Sequence, residues 1–279
     1  MKSLVTPTTP PTFMDLYISI RDSKRNPTKT TLNGAHALIL TQYGSFENFA
    51  QAKTLERFTH DNNLRPIKDA LRSCYGGKTK ALQNLKDLIE SVQPARRLIK
   101  CPMCNITLPR TFDHYLAAEK FPELSVHGLN LIPCCSTCNS IKDDDWLDGN
   151  GERQYIHYFS DNLTSLNYLE CSITVRPGFN FPGANFSISK PTQMPNIDWG
   201  LLVRHFNRLH LIERYNELGN DTISYLLRTC KAHIDAGGTQ PGVFLSNYAT
   251  NDEEDYGVNY WVAVLTRKLV AHPNFLQWI

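Results

Sequence analysis

Two cysteine pairs with metal-ligand spacing lie near the middle of the chain. Cys101 and Cys104 form one C-x-x-C pair, and Cys135 and Cys138 form the other. In each pair, two thiolates from one tight turn reach the same metal ion, so the two turns together predict a closed tetrahedral zinc site. Such a site supports folding rather than catalysis.

Between and beside these pairs lie residues whose types suit hydrolysis. Asp113 and His114 are adjacent in the segment that the cysteines enclose, and Asn139 directly follows the last cysteine. A carboxylate and an amide oxygen suit a hard divalent ion such as Mg²⁺. A neutral imidazole accepts protons near pH 7. The two groups together indicate metal-assisted hydrolysis beside a structural zinc.

The stretch from Cys101 to Lys142 resembles the HNH, or ββα-metal, nucleases. The likeness rests on Cys-Pro-Met-Cys at 101–104, Phe-Asp-His-Tyr at 112–115, and Asn-Leu-Ile-Pro-Cys-Cys-Ser-Thr-Cys-Asn-Ser-Ile-Lys at 130–142. It is specific because several positions agree in identity, order and spacing, although it covers only about 42 of the 279 residues.

The resemblance implies a role for each residue of the motif. His114 would deprotonate water, Asp113 and Asn139 would hold a catalytic Mg²⁺ or Mn²⁺, and Asn130 would brace the loop that aims His114. The products would be a 5′-phosphate and a 3′-hydroxyl. Asparagine at 139 departs from the commonest pattern, which has histidine there, but it also occurs in the family. The structural zinc ligands would be Cys101, Cys104, Cys135 and Cys138.

Cys134 leaves an alternative for the zinc site, because it lies close enough to Cys138 to share a metal ion. The two-residue spacing favours Cys135 as the ligand, and Cys134 is then expected to be a small buried residue.

The function predicted from these motifs is metal-dependent endonucleolytic hydrolysis of nucleic acid, with DNA as the expected target. By family analogy we also expect a role in bacterial anti-phage defence and a regulatory ATPase partner. The alternative is a zinc-stapled nucleic-acid-binding subunit without cleavage activity. Asp113, His114 and Asn139 separate the two, because a pure binding module needs neither a base nor hard-metal ligands.

The predicted fold class is α+β, with a ββα-metal finger embedded in mainly helical flanking regions. We expect strands near 108–114 and 129–133, and then a helix that begins near Ser136, is capped by that serine, and runs towards Trp146. Helical spacing before the finger predicts a hairpin of helices at 65–75 and 81–92, separated by Gly76-Gly77 and packed under the finger.

Three regions are predicted along the chain. Residues 1–63 form an N-terminal extension of unknown role, with an irregular lead-in over 1–12 and helices near 35–43 and 46–58. Residues 64–175 form the nuclease domain with its helical hairpin and strands over 164–175. Residues 176–279 are mainly helical after an irregular crossing at 177–195, with three helices near 199–215, 223–234 and 260–269.

Composition indicates an ordinary globular chain, with 41% hydrophobic and 20% charged residues. No apolar run is long enough to span a membrane, and eight cysteines, half of them in the C-x-x-C pairs, predict metal binding in the reducing cytoplasm.

The charge is unevenly distributed. The net charge is +2, yet residues 64–142 hold 12 Lys or Arg against 6 Asp or Glu. This excess surrounds the motif, as phosphate binding requires. The predicted nucleic-acid contacts are Arg96, Arg97, Lys100, Arg110 and Lys142.

Two features receive no catalytic role. The acidic runs at 143–145 and 252–255 are interpreted as solvated turns. His157, in an aromatic segment after the motif, is predicted to be a packed histidine.

Overall fold

The computed structural model describes residues 2–163, 166–175 and 181–279, and the chain divides into two units. The N-terminal unit comprises Ser3–Asn162, and the C-terminal unit comprises Leu163–Ile279 together with the first two residues. Residues 3–63 therefore belong to the same compact unit as the cysteine motifs, and the division between the two units falls at 162/163. Each unit contains helices and one small two-stranded sheet in its described residues.

The N-terminal unit contains six α-helices and one pair of short strands in its described residues. They are α1 Phe13–Asp22, α2 Thr28–Gly34, α3 His36–Gln51, α4 Lys68–Ser73, α5 Lys80–Ser91, β1 Thr111–His114, β2 Leu131–Cys134 and α6 Ser136–Lys142. Short 3₁₀ turns cover Leu55–Arg57, Asn62–Ile67, Arg97–Ile99, Pro122–Leu124 and Gly128–Asn130.

Helix α1 begins with a capping box, and it packs against α5. The Thr12 side chain accepts from the Asp15 N–H, and the Asp15 carboxylate accepts from the Thr12 N–H at 2.7 Å. The buried face of α1 contacts α5, whose own buried face includes Leu85 and Ile89. The apolar residues of α5 therefore belong to the core of this unit, as their helical spacing indicates.

The strands β1 and β2 form an antiparallel pair in which Asp113 faces Ile132 and His114 faces Leu131. The loop into β2 needs glycine at 128, because a Cβ there would lie 2.2 Å from Cγ of Phe13. Helix α6 follows β2 after a single residue, Cys135.

The C-terminal unit packs a strand hairpin against helices. Its elements are β3 Leu169–Val175, β4 Pro182–Ile188, α7 Asn196–Arg208, α8 Leu211–Asp235, α9 Pro241–Tyr256 and α10 Trp261–Val270, with a 3₁₀ turn at Phe275–Gln277. Helices α8 and α10 contact β4 and β3, respectively, and the core between them includes the stacked rings of Tyr215 and Trp261.

Several predicted elements need correction. The predicted helix at 35–43 and the first part of the one at 46–58 form the single helix α3, because Gly44 is tolerated inside it. Helix α3 ends at Gln51, and in the rest of the predicted range only Leu55–Arg57 form a 3₁₀ turn. The expected irregular crossing at 177–195 contains β4, while 176–180 lie outside the described residues. Helix α6 ends at Lys142, well before Trp146, and its N-cap is Cys135 rather than Ser136.

Within the described ranges, no helix combines the length and apolar character that a membrane span requires.

Candidate metal centre and adjoining cavity

The four cysteines of the two C-x-x-C pairs converge in the N-terminal unit. All four side chains are buried, and their Sγ atoms lie within 4.8 Å of one another. The Sγ atoms of Cys104 and Cys135 are 3.8 Å apart. Tetrahedral zinc with Zn–S bonds of ~2.3 Å separates its sulfur ligands by about 3.8 Å. The donor set and this spacing therefore fit a metal such as zinc.

Backbone geometry prepares both turns to hold thiolates. In the first turn, the Asn105 N–H donates to the Cys101 carbonyl oxygen at 2.8 Å, and Asn105 adopts a left-handed φ of 54°. In the second, Cys135 Sγ accepts from the Cys138 N–H at 3.5 Å and thereby caps α6. The two turns therefore direct their sulfurs towards one another, and a bound metal ion would replace the thiol protons.

Cys134 lies outside the cluster. Its Sγ is 3.4 Å from the Thr111 hydroxyl, and burial raises the pKa of its thiol to about 12. Of the two candidates in the sequence, Cys135 is the one that joins the other three cysteines.

Asp113, His114 and Asn139 all line one cavity of about 870 Å³. Strand β1 supplies the first two residues, and the first turn of α6 supplies the asparagine. The other lining residues are Arg72, Ser73, Tyr75, Gly76, Phe112, Ala117, Ala118, Glu119, Ser140, Asp143 and Asp144. The pairing of β1 with β2, and the start of α6 directly after β2, bring these distant residues together.

The His114 imidazole is held in one orientation. Its Nε2 lies 2.8 Å from the Ser125 carbonyl oxygen, and the Tyr75 ring packs against it edge-on at 4.4 Å between centroids. Because a carbonyl oxygen only accepts, Nε2 carries the proton and Nδ1 remains an acceptor. Burial lowers the pKa of His114 to about 4, although the Ser125 carbonyl opposes the shift. The imidazole is therefore neutral at pH 7.

The Asp113 carboxylate is 5% exposed and pairs with Lys142. The Lys142 ammonium lies 3.0 Å from Oδ2 and 3.3 Å from Oδ1, and it donates to the His114 carbonyl oxygen at 2.8 Å. Burial raises the pKa of Asp113 to about 6, and the Lys142 charge opposes that shift. Oδ2 is buried and makes no hydrogen bond of normal geometry. A carboxylate and an amide on the wall of one cavity are hard oxygen donors of the type that a divalent cation prefers.

Asn130 is fully buried and ties the loop between the strands together. Its Oδ1 accepts from the Leu116 N–H at 2.8 Å, and its Nδ2 donates to the carbonyl oxygens of Leu116 and Leu124. This loop includes Ser125, whose carbonyl oxygen accepts the hydrogen bond from His114 Nε2–H.

The basic residues predicted to contact phosphate are placed differently from the prediction. Lys142 has no exposed surface and is committed to Asp113, so its predicted contact with nucleic acid is wrong. Arg97 donates to the Ser3 carbonyl oxygen, and Lys100 donates to that of Ile106. The cavity lining contains one basic residue, Arg72, and none of the predicted residues Arg96, Arg97, Lys100 and Arg110.

Sequence reasoning missed Asp143 and Asp144 as cavity residues. Both line the cavity, and the negative charge of Asp144 contributes to the raised pKa of Asp113. Helix α6 ends at Lys142, and Asp143 adopts a φ of 47° there, which turns the acidic run back to the cavity. Their position directly after the motif was the available signal. The prediction of a packed His157 is confirmed, because it is buried and bonded to the Leu129 carbonyl oxygen and the Ser160 hydroxyl.

Comparison with known proteins gives one distant relative. The chain is 29% identical over 158 residues to Protein ea31 of Escherichia phage lambda, a match that covers 56% of this chain and 48% of the relative. The chain thus spans about half the length of that curated relative. No family model and no solved structure matches the chain.

Proposed function

We propose that this protein is a metal-dependent endonuclease of the HNH type that hydrolyses nucleic-acid phosphodiesters, with DNA as the expected substrate. One observation carries the proposal. The neutral His114 imidazole, fixed through Nε2 and left with Nδ1 as an acceptor, lines the same cavity as Asp113 and Asn139. A pair of strands and a helix hold these residues beside the four-cysteine cluster, and this supports the proposal of a ββα-metal finger.

In this proposal His114 accepts a proton from the attacking water at Nδ1. The Ser125 carbonyl oxygen fixes the tautomer and supports the imidazolium that forms. A phosphodiester in the cavity brings negative charge near the ring, which raises the pKa of His114 from its low value in the free protein. The base therefore strengthens when substrate is present.

Asp113 and Asn139 are the residues that would hold a catalytic Mg²⁺ or Mn²⁺. Such an ion would polarise the phosphodiester and offset the charge that develops on the departing oxygen. Lys142 positions both catalytic residues, because its ammonium contacts the Asp113 carboxylate and the His114 backbone at once. Its charge compensates the buried carboxylate, which otherwise would be protonated more readily.

Cleavage of plasmid, single-stranded DNA and RNA with Mg²⁺ or Mn²⁺ tests the proposal. His114→Ala should abolish cleavage while nucleic-acid affinity stays within about twofold, because general-base loss removes ~10²–10⁴-fold or more of rate but no charge contact. His210→Asn in the C-terminal unit is the matched histidine control, since asparagine tolerates the left-handed backbone at 210. EDTA should stop cleavage by the parent.

The outcomes separate the two predicted functions. Cleavage that needs both the divalent ion and His114 supports the nuclease. A folded, zinc-loaded protein that binds nucleic acid but cleaves none of the three substrates supports the binding subunit instead. Equal cleavage by His114→Ala would remove His114 from the mechanism.

The sequence resemblance also carries a wider proposal, a cytoplasmic role in bacterial anti-phage defence beside a regulatory ATPase. Phage plating on cells that express the parent or His114→Ala tests the defence role. Protection by the parent alone is the expected result, and co-purification with a tagged chain tests the partner.

A further inference from the structure

A second cavity of about 480 Å³ opens beside the first, and basic residues dominate its charged lining. It is lined by His60, Arg65, Lys68, Glu119, Lys120, Phe121 and Pro122. Glu119 lines both cavities, so the two share a wall. The second cavity therefore continues from the proposed catalytic cavity along the surface of the N-terminal unit.

Three cations line the walls of these two cavities, and we call them the basic row: Arg65, Lys68 and Arg72. Arg65 lies in the 3₁₀ turn Asn62–Ile67, and Lys68 and Arg72 lie four residues apart on the same face of α4. All three side chains are exposed. The row is therefore a cationic surface that follows both cavities, as contact with a phosphate backbone requires.

We propose that the basic row, together with Lys120 of the second cavity, binds the phosphate backbone of the nucleic-acid strand that enters the catalytic cavity. This inference rests on the proposed function, and it assigns the basic row and Lys120 as the residues that bind the substrate backbone, which we call the binding track. It replaces the contacts predicted from the sequence, because Arg96, Arg97, Lys100 and Arg110 line neither cavity.

The charges of the row are available to a polyanion. Among the ion pairs of the described residues, Arg72 pairs with Glu119, and Arg65 and Lys68 pair with no carboxylate. Lys120 donates to the Asp144 carbonyl oxygen at 3.4 Å, a contact that leaves its charge uncompensated. Glu119 is the one acid in the lining of the second cavity. Removing the charge of Glu119 should therefore strengthen phosphate binding, while removing row charges should weaken it.

The test measures binding of a fluorescent DNA duplex and of its single strand at several salt concentrations, in a His114→Ala background that prevents cleavage. Arg65→Gln/Lys68→Gln should weaken binding about 20-fold near 0.15 M salt and reduce the slope of log K against log salt by about 1.5 to 2, the loss expected for two phosphate contacts. Glu119→Gln should tighten binding severalfold.

The C-terminal unit supplies a matched control. Arg228→Gln/Lys231→Gln removes the same two residue types, at the same spacing, from an exposed face of α8. This pair lies in neither cavity, so its affinity and salt slope should match those of the parent. The control separates a local contact from a general effect of net charge.

Each outcome decides the inference. Weaker binding by the row variant but not by the control variant supports the inference, whether or not the parent protein proves to cleave nucleic acid. Parental affinity in the row variant overturns the track and leaves the nuclease proposal standing. Equal weakening by both double variants shows a general charge effect and also overturns it. A zinc-loaded parent that neither binds nor cleaves nucleic acid overturns the track and the proposed function together.

Discussion

The cysteine cluster and the neighbouring cavity share helix α6 but differ in how their polar atoms are paired. In the cluster, four buried sulfurs face one another, and those of Cys101 and Cys135 accept backbone N–H groups. On the cavity wall, the buried Asp113 carboxylate pairs with the buried Lys142 ammonium, and its Oδ2 makes no hydrogen bond of normal geometry.

The difference separates a site suited to holding the fold from the site for which we propose chemistry. A closed four-thiolate set leaves no position for substrate, and its binding energy contributes to folding. A buried carboxylate costs stability through desolvation even when it is paired, and such groups cluster at sites that bind a ligand.

The largest expected effect is on the cluster side. Cys101→Ser should release zinc and unfold the N-terminal unit, because structural zinc contributes of the order of 10 kcal/mol to folding in small domains. Zinc content and thermal unfolding measure this. Cys134→Ser, also buried but outside the cluster, is the control and should keep its zinc. A folded, zinc-replete Cys101→Ser protein would contradict the four-cysteine site.

On the cavity side, Lys142→Met should lower the free energy of unfolding by ~3–5 kcal/mol, because it leaves the Asp113 carboxylate buried without its partner. Urea unfolding measures the loss. The double variant Lys142→Met/Asp113→Asn should recover much of it, and zinc should stay bound in both. No recovery in the double variant would show that Lys142 stabilises by packing instead.

Glu123→Gln should produce a stability difference that depends on pH. Burial raises the pKa of Glu123 to about 7, against opposing N–H groups of Glu123 itself and Asp61. The folded state therefore holds the Glu123 proton more tightly than the unfolded state does. The stabilisation from this proton is fully present below pH ~4.5 and is lost as the pH rises through about 7.

The glutamine variant does not titrate and should exceed the parent by roughly 1–3 kcal/mol at pH 8, with little difference near pH 5. Urea unfolding of the parent and the variant at both pH values measures this difference. The contribution of the cysteine cluster is the same in both proteins and cancels in the comparison. A difference that is the same at both pH values would mean that Glu123 is not protonated in the folded protein.

The smallest effect on stability is expected at Asn139. Asn139→Ala removes a half-exposed side chain, so unfolding should change by less than ~1 kcal/mol and zinc should remain. Cleavage should nevertheless fall at least tenfold, and added Mn²⁺ should restore part of it if the amide serves as a ligand. Loss of zinc in this variant would mean that the cluster and the cavity are not separable.

Much of the site could be predicted from the sequence because its signals are local. The spacing of the cysteines specified which sulfurs reach one metal ion, and the structure brings together the four that the spacing favoured. The adjacency of Asp113 and His114, and the position of Asn139 after Cys138, likewise required no knowledge of distant residues. The apolar periodicity of α5 and most C-terminal helices followed the same local logic.

The sequence by itself determined the metal-binding residue types, their order and the helical character of the flanking regions. Only the tertiary structure decided that Lys142 is buried against Asp113, that Ser125 orients His114, and that Asp143 and Asp144 reach the cavity. A Lys at a helix end looks the same in sequence whether it meets water or a buried carboxylate. Burial and charge pairing depend on which segments fold over one another, and local spacing does not specify that.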